Sequence, residues 1–325
     1  MTRHLSPTRR VLLAAAFVLA APLVAPLAAA QAPLRMVVPF GPGTTTDIVS
    51  RLVGDAMATT LNQTLVVDNK AGAGGTIGSD FVAKAGADSG TLLMGTVGTH
   101  AINPTLYRKL SYDALRDFAP VGFVGYTPTL LVVATGSPLK SVADLKAAAA
   151  KAGGVTFASA GNGTSGHLAG ELLGARLGGQ MVHVPYSQGG QALTDVMSGQ
   201  AQFMFYHPAA VLPHMKAGKL RALGASGARR SAAATDVATL QEQGVADFDL
   251  VAWFMVYAPA ATPERELARL REGFTKAMAR PDIVARLGEL GVETRPMAAA
   301  EFMPFGQQEI RRWAEAVKRS GAQVD

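Results

Sequence analysis

The sequence predicts an α/β protein whose parallel sheets are covered by helices on both faces. Three observations carry that expectation. Short β-branched runs alternate with helical stretches along the chain after residue 33. Gly-rich loops follow the runs that end near residues 40, 67 and 158, where such a sheet presents the carboxyl ends of its strands. Hydrophobic residues make up 49% of the chain and cysteine is absent, so the core, not disulfides, must stabilise the fold. Beyond a signal-like leader, the 325 residues amount to about two domains.

Taken in order, strands are expected at 34–40, 64–67, 91–96, 121–124 and 130–134, the last of these being the longer of its pair. Further strands are expected at 155–159, 181–184, 201–205, 220–224 and 249–258. Helices are expected at 47–61 and 79–85, from Asn103-Pro104 onward, and at 141–152. The next helix carries Leu168, Leu172, Leu173 and Leu177, and two more cover 191–198 and 211–217. Pro263 suits the first position of a helix that buries Leu267, Leu270 and Phe274, and helices near 281–290 and 299–319 close the chain. The alanine run 147–150 is good helix, and no repeat of fixed period is present.

Residues 1–30 read as an export signal. Arg3, Arg9 and Arg10 precede an apolar run interrupted by Pro22 and Pro26, and Ala28-Ala29-Ala30 fits a cleavage site. The periplasm is therefore the expected location, by the general or, given Arg9-Arg10, the twin-arginine route. No later segment is apolar enough to span a bilayer. Removing those three arginines from the 30 basic residues leaves 27 against 24 acidic, too mild a balance for nucleic acid.

The stretch 37–47 organises the rest. Val37-Val38 ends a strand, Gly41-Pro42-Gly43 turns, and Thr44 with Asp47 three residues later has the form of a capping box. A helix start of this kind leaves backbone N–H groups free and suits an anion. A second corner, 160–167, has the same character and leads into another helix. Each is rich in Gly and hydroxyl or amide residues and suits one carboxylate, so two such jaws on opposite domains would clamp a dicarboxylate.

Catalytic patterns fail on inspection. Gly163-Thr164-Ser165-Gly166-His167 lacks the final glycine of a nucleophile elbow. Gly72-Ala73-Gly74 through Gly78 has the wrong spacing for a dinucleotide fingerprint and no acid about twenty residues on. His4, His100, His167, His183, His207 and His214 show no metal-ligand spacing, and no Walker motif is present. No enzyme activity, cofactor or metal is expected.

The ordered motifs VVPFGPGTTTDIVSRL (37–52), VVDNKAGAGGTIGSD (66–80), INPTLYRKLSYDALRDFAPV (102–121), FASAGNGTSGHLAGELL (157–173), VHVPYSQGGQALTDVMSGQ (182–200), LPHMKAGKLRALG (212–224) and WFMVYAPAATP (253–263) go further. Together they resemble the solute-binding proteins of tripartite tricarboxylate transporters, the Bordetella-uptake-gene type. The resemblance covers about residues 33–320. It implies a two-domain, type 2 periplasmic-binding fold with two crossover segments and a central ligand cleft. Domain 1 would comprise 31–132 and 251–325, and domain 2 would comprise 133–250.

It also implies a monomeric receptor that binds a small di-, tri- or aromatic carboxylate and delivers it to membrane permease subunits. Carried over residue by residue, it points to Gly43, Thr44, Thr45, Asp47 and Thr99, then to Ser159, Asn162, Gly163, Thr164 and Ser165, with Phe254 walling the cleft. Two departures stand out. Gly43-Thr44-Thr45-Thr46-Asp47 replaces a run of three glycines, and Tyr206-His207 stands where Asp-Asn is usual. Loss of that aspartate argues against an amino-acid ligand, and Tyr206 and His207 are expected to face the cleft. They would favour a hydroxylated or aromatic body or a second carboxylate. A sensor docking on a two-component kinase, or an enzyme on the same frame, are the alternative readings.

Overall fold

The computed structural model describes residues 32–87 and 89–324; the expected export signal lies outside the described residues. Two five-stranded sheets form the frame. The first contains β1 (Leu34–Val38), β2 (Leu65–Asn69), β3 (Thr91–Thr96), β4 (Phe118–Pro128) and β10 (Val251–Pro259), in the order β2-β1-β3-β10-β4. The second contains β5 (Leu130–Ala134), β6 (Val155–Ser159), β7 (Met181–Pro185), β8 (Phe203–Tyr206) and β9 (Leu220–Ala225), in the order β7-β6-β8-β5-β9.

The helices are α1 (Thr45–Leu61), α2 (Thr76–Ala83), α3 (Asn103–Leu106), α4 (Val142–Ala149), α5 (Ser165–Leu177), α6 (Gly189–Ser198), α7 (Pro208–Lys216), α8 (Glu264–Met278), α9 (Pro281–Glu289) and α10 (Ala299–Ser320). Helix α1 ends on Asn62 in the left-handed region (φ 49°), which an asparagine tolerates better than most residues. Helix α8 buries Leu267, Leu270, Phe274 and Ala277 at helical spacing, and Pro263 is its N-cap rather than its first residue.

The sheets are mixed, which corrects the all-parallel expectation. Strand β1 pairs parallel with β2 and β3, and β6 pairs parallel with β7 and β8. Strand β10 runs antiparallel to β3 and β4, and β5 runs antiparallel to β8 and β9. Each antiparallel strand is the one that has just crossed from the other sheet. The longer strand of the 118–134 pair is β4, not β5. The chain pairs in the second sheet from Leu130 onward, so the expected boundary at 132/133 falls inside β5.

The two crossings meet at one hydroxyl. Ser226 Oγ accepts from Thr129 N (2.9 Å) and Thr129 Oγ1 (2.9 Å) and donates to Leu250 O (2.6 Å). Thr129 and Ser226 are both buried, so these bonds are shielded from water. Helix α10 packs against α5 and a π-helical turn at Gly98–Ile102, spanning both halves. From it the buried Glu309 accepts from Trp253 Nε1 (2.8 Å) and Trp313 Nε1 (3.1 Å), fixing the Trp253 indole.

Candidate functional site

The corners after β1 and β6 repeat each other atom for atom at an offset of 120 residues. Thr44 Oγ1 accepts from Asp47 N (3.3 Å) and donates to Gly41 O (2.8 Å). Thr164 Oγ1 accepts from His167 N (3.3 Å) and donates to Gly161 O (2.8 Å). Gly43 (φ 74°) donates its N–H to Asp47 Oδ2 (2.9 Å), and Gly163 (φ 78°) donates to His167 Nδ1 (3.1 Å). The expected capping box is thus displaced by one residue. Thr44 N is directed at Gly41 O, so the Asp47 carboxylate takes the preceding N–H instead. In the second corner a neutral histidine does the work of that carboxylate. The shared pattern, G-x-G-T-x-x followed by an acceptor, was readable at 41–47 and 161–167.

These caps satisfy the third N–H of each helix and leave the first two free. Those belong to Thr45, Thr46, Ser165 and Gly166, and all four residues line a cavity of about 40 Å³ between the two sheets. The lobes leave little room between them at this point. Phe40, Thr44, Thr96, Val97, Gly98, Ala160, Thr164, Phe205, Tyr206, His207, Ala252, Trp253 and Phe254 complete its lining. Among the described residues, the lining includes no Asp, Glu, Lys or Arg.

Three buried polar atoms of these lining residues have no hydrogen-bond partner among the described residues: Thr45 Oγ1, Tyr206 Oη and His207 Nδ1. The other nitrogen of His207, Nε2, lies 3.2 Å from Ser165 Oγ, and its ring meets the Phe254 ring edge-on at 5.9 Å. Burial pushes His207 down to about 4 and pushes the Tyr206 phenol up, so both are neutral near pH 7.

Of the residues singled out in the sequence, the cavity brings together Thr44, Thr45, Thr164, Ser165, Tyr206, His207 and Phe254. It does not take in Gly43, Asp47, Thr99, Ser159, Asn162 or Gly163. The Asp47 carboxylate is occupied by Gly43 N, Asn69 Nδ2 (2.9 Å) and both ends of Arg51 (2.9 and 3.1 Å). Burial raises the Asp47 pKa, but bonds from Arg51, Gly43 and Asn69 outweigh it and hold the group below the usual carboxylate range. Thr99 Oγ1 is used within its own turn, on Thr96 N (3.0 Å) and His100 Nδ1 (2.8 Å). Ser159 Oγ meets His183 Nε2 (2.7 Å) behind the second corner.

Asn162 and Gly163 form the seam where the lobes touch. A Cβ at Gly98 would stand 2.8 Å from Gly163 O, and one at Gly74 would collide with Asn162 O. The wall residues Phe40, Thr46, Thr96, Val97, Gly98, Ala160, Gly166, Phe205, Ala252 and Trp253 were missed, because apolar strand and turn residues look alike whether they face core or cleft.

The fold also brings ligand atoms of His167, Glu171 and His183 within 4.8 Å of one another, a grouping invisible to sequence spacing. The two rings stack at 4.1 Å. His167 accepts the Gly163 N–H at Nδ1, so its own hydrogen sits on Nε2, 3.7 Å from Glu171 Oε1. A metal would need that Nε2 lone pair, so the grouping suits a helix cap rather than a metal centre. Burial pushes His167 down to about 4; burial and its neighbour His167 push His183 to about 3.

Comparison with known proteins agrees with this geometry. Residues 49–322 match the family model described as the tripartite tricarboxylate transporter family receptor. The chain is 33% identical to BugT of Bordetella pertussis over 322 residues, 98% of this chain and 99% of BugT. It is similar in structure to R. palustris Rpa4515, solved with adipate (TM-score 0.85, 31% identity, 90% of this chain and 98% of that one). It is likewise similar to MatC of Rhodopseudomonas palustris, solved with bound malate (TM-score 0.81, 32% identity, 88% and 98%).

Proposed function

Because the chain belongs to the tripartite tricarboxylate transporter receptor family, we propose that it is a periplasmic receptor that closes over a small carboxylate and delivers it to membrane permease subunits. The observation that carries this reading is the pair of capped helix starts that leave four N–H groups beside one buried cavity. A carboxylate there accepts from both jaws, and the positive ends of two helices favour its charge. No guanidinium or ammonium is required. The adipate and malate bound by the related R. palustris proteins support a small carboxylic acid as the ligand.

Ser165 Oγ and His207 Nε2 lie 3.2 Å apart, but His207 Nδ1 has no partner among the described residues to orient the ring, and we read the protein as one that captures and releases without covalent change. A ligand enters an open form and is enclosed as the lobes meet along the glycine seam.

The test is a thermal-shift screen of the mature protein against mono-, di- and tricarboxylates, aromatic acids and amino acids. An acid at a hundred times its dissociation constant adds about 2.7 kcal/mol and a clear rise in melting temperature. Stabilisation by amino acids alone, or turnover of any stabilising acid, would overturn the reading.

A further inference from the structure

Away from the cavity, the lobes touch along a seam made largely of oxygens set against glycine. Asn162 O lies on Gly74, Asn103 Oδ1 on Gly163, Gln188 Oε1 on Gly41 and Gly163 O on Gly98, each where a Cβ would stand. Contacts from carbon-bound hydrogen to oxygen are weak, so they give the seam its fit and little hold. Among the described residues, one conventional hydrogen bond crosses it: Tyr107 Oη lies 3.4 Å from Asn162 O. The ion pairs between lobes, Arg312 with Asp249 (3.4 Å) and Arg229 with Glu293 (3.7 Å), stand beside the two crossings instead.

Tyr107 Oη also lies 3.2 Å from Ala73 O, on its own lobe. A phenol has one hydrogen, so the two carbonyls compete for it. The residue itself is fixed, because its N–H goes to Asn103 O (3.1 Å) and its backbone bridges Val324. Asn103 acts in the opposite sense. Its Nδ2 donates to Gly74 O (3.2 Å), but its buried Oδ1 has no partner among the described residues. Gly163 has given its N–H to His167 Nδ1 (3.1 Å), so it offers Asn103 only carbon-bound hydrogen. Water reaches that oxygen when the lobes part and is stripped from it when they meet.

We propose that Tyr107 and Asn103 are positioning residues that set the balance between open and closed forms. Tyr107 exchanges Ala73 O for Asn162 O and holds the lobes together, while Asn103 opposes closure. This rests on the reading of the protein as a receptor that closes over a ligand, although neither residue lines the cavity. The empty receptor stays open, because closure strips Asn103 and returns one neutral hydrogen bond. A bound acid supplies the difference, and the Tyr107 bond then governs how long the acid is held.

Spin labels test the balance without any ligand. The chain has no cysteine, so Ile77→Cys and Gln191→Cys, exposed positions one on each lobe, are labelled alone. Double electron–electron resonance of the mature protein should show mainly the longer distance. Asn103→Leu, or Asn103→Ala if leucine misfolds, should raise the shorter-distance fraction about fivefold, and adding Tyr107→Phe should lower it again. With malate and adipate as probes, Tyr107→Phe should speed dissociation about fivefold in stopped-flow tryptophan fluorescence, the scale of one neutral hydrogen bond, and leave association unchanged. Distances unmoved by these variants would overturn the proposal. So would a Tyr107→Phe variant that melts lower when ligand-free but releases its acid at the wild-type rate, since that marks a merely structural role. Failure of both acids to bind would count against the carboxylate reading, and the ligand-free distances would then decide the balance alone.

Discussion

At the residue scale, the contrast between Asp47 and His167 is the most instructive. Both occupy the same place in equivalent corners, yet one is locked in an ion pair and the other is a neutral ring. The sequence reading placed Asp47 against the ligand because motif position marks importance without giving its reason. The reason is internal: its carboxylate fastens Gly43, Asn69 and Arg51. Asp47→Asn should therefore cost about 1–3 kcal/mol of stability, read as a lowered urea midpoint. The ranking of acids in binding should persist, since Asp47 does not line the cavity. A changed ranking with an unchanged midpoint would reverse that assignment. Thr44 and Thr164 were legible for the opposite reason, since N-capping is local chemistry written in adjacent residues.

At the scale of elements, β3, β5 and β6 fall at their expected bounds, because short apolar runs flanked by turn residues are a local signal. The directions of β5 and β10 were not legible. A strand's composition does not record which sheet the chain came from, and both had just crossed over. The contact between lobes was hidden too, for a glycine that must accept a neighbouring backbone reads like a glycine in any turn. Gly98 makes the case testable. It lies 2.8 Å, measured from a notional Cβ, from Gly163 O across the seam. Gly98→Ala should hold the lobes apart and weaken acid binding about tenfold or more, the equivalent of 1–3 kcal/mol of overpacking. The ligand-free melt should hold, because only the closed form feels the methyl group. Small-angle scattering of the variant with saturating acid should keep the larger, open radius; compaction like wild type would contradict the seam.

At the scale of the whole molecule, four histidines set an acid limit, His100 and His167 buried and His183 and His207 partly buried. Burial pushes His207 and His167 down to about 4 and His100 to about 3; His183 reaches about 3 through burial and His167. The unfolded chain, with imidazoles near 6.5, binds protons that the folded chain refuses. Stability is therefore full above about pH 6.5, falls as pH drops, and stops falling only below the folded values near 3–4. Each ring contributes a slope of about 1.4 kcal/mol per pH unit within that window. Urea midpoints at pH 7.5, 6 and 5 check this, and a flat profile would mean the rings are hydrated. The two-lobe plan was readable from ordered motifs spread along the chain, but the joint between the lobes was not, because its parts lie far apart in sequence. Thr129, Ser226 and Leu250 meet at one oxygen, so both connecting strands are pinned at the same point. A joint with one pin allows swing and resists sliding. The gape of the receptor is then described by rotations about that point, and distances between several pairs of labels on the two lobes would report its working stroke.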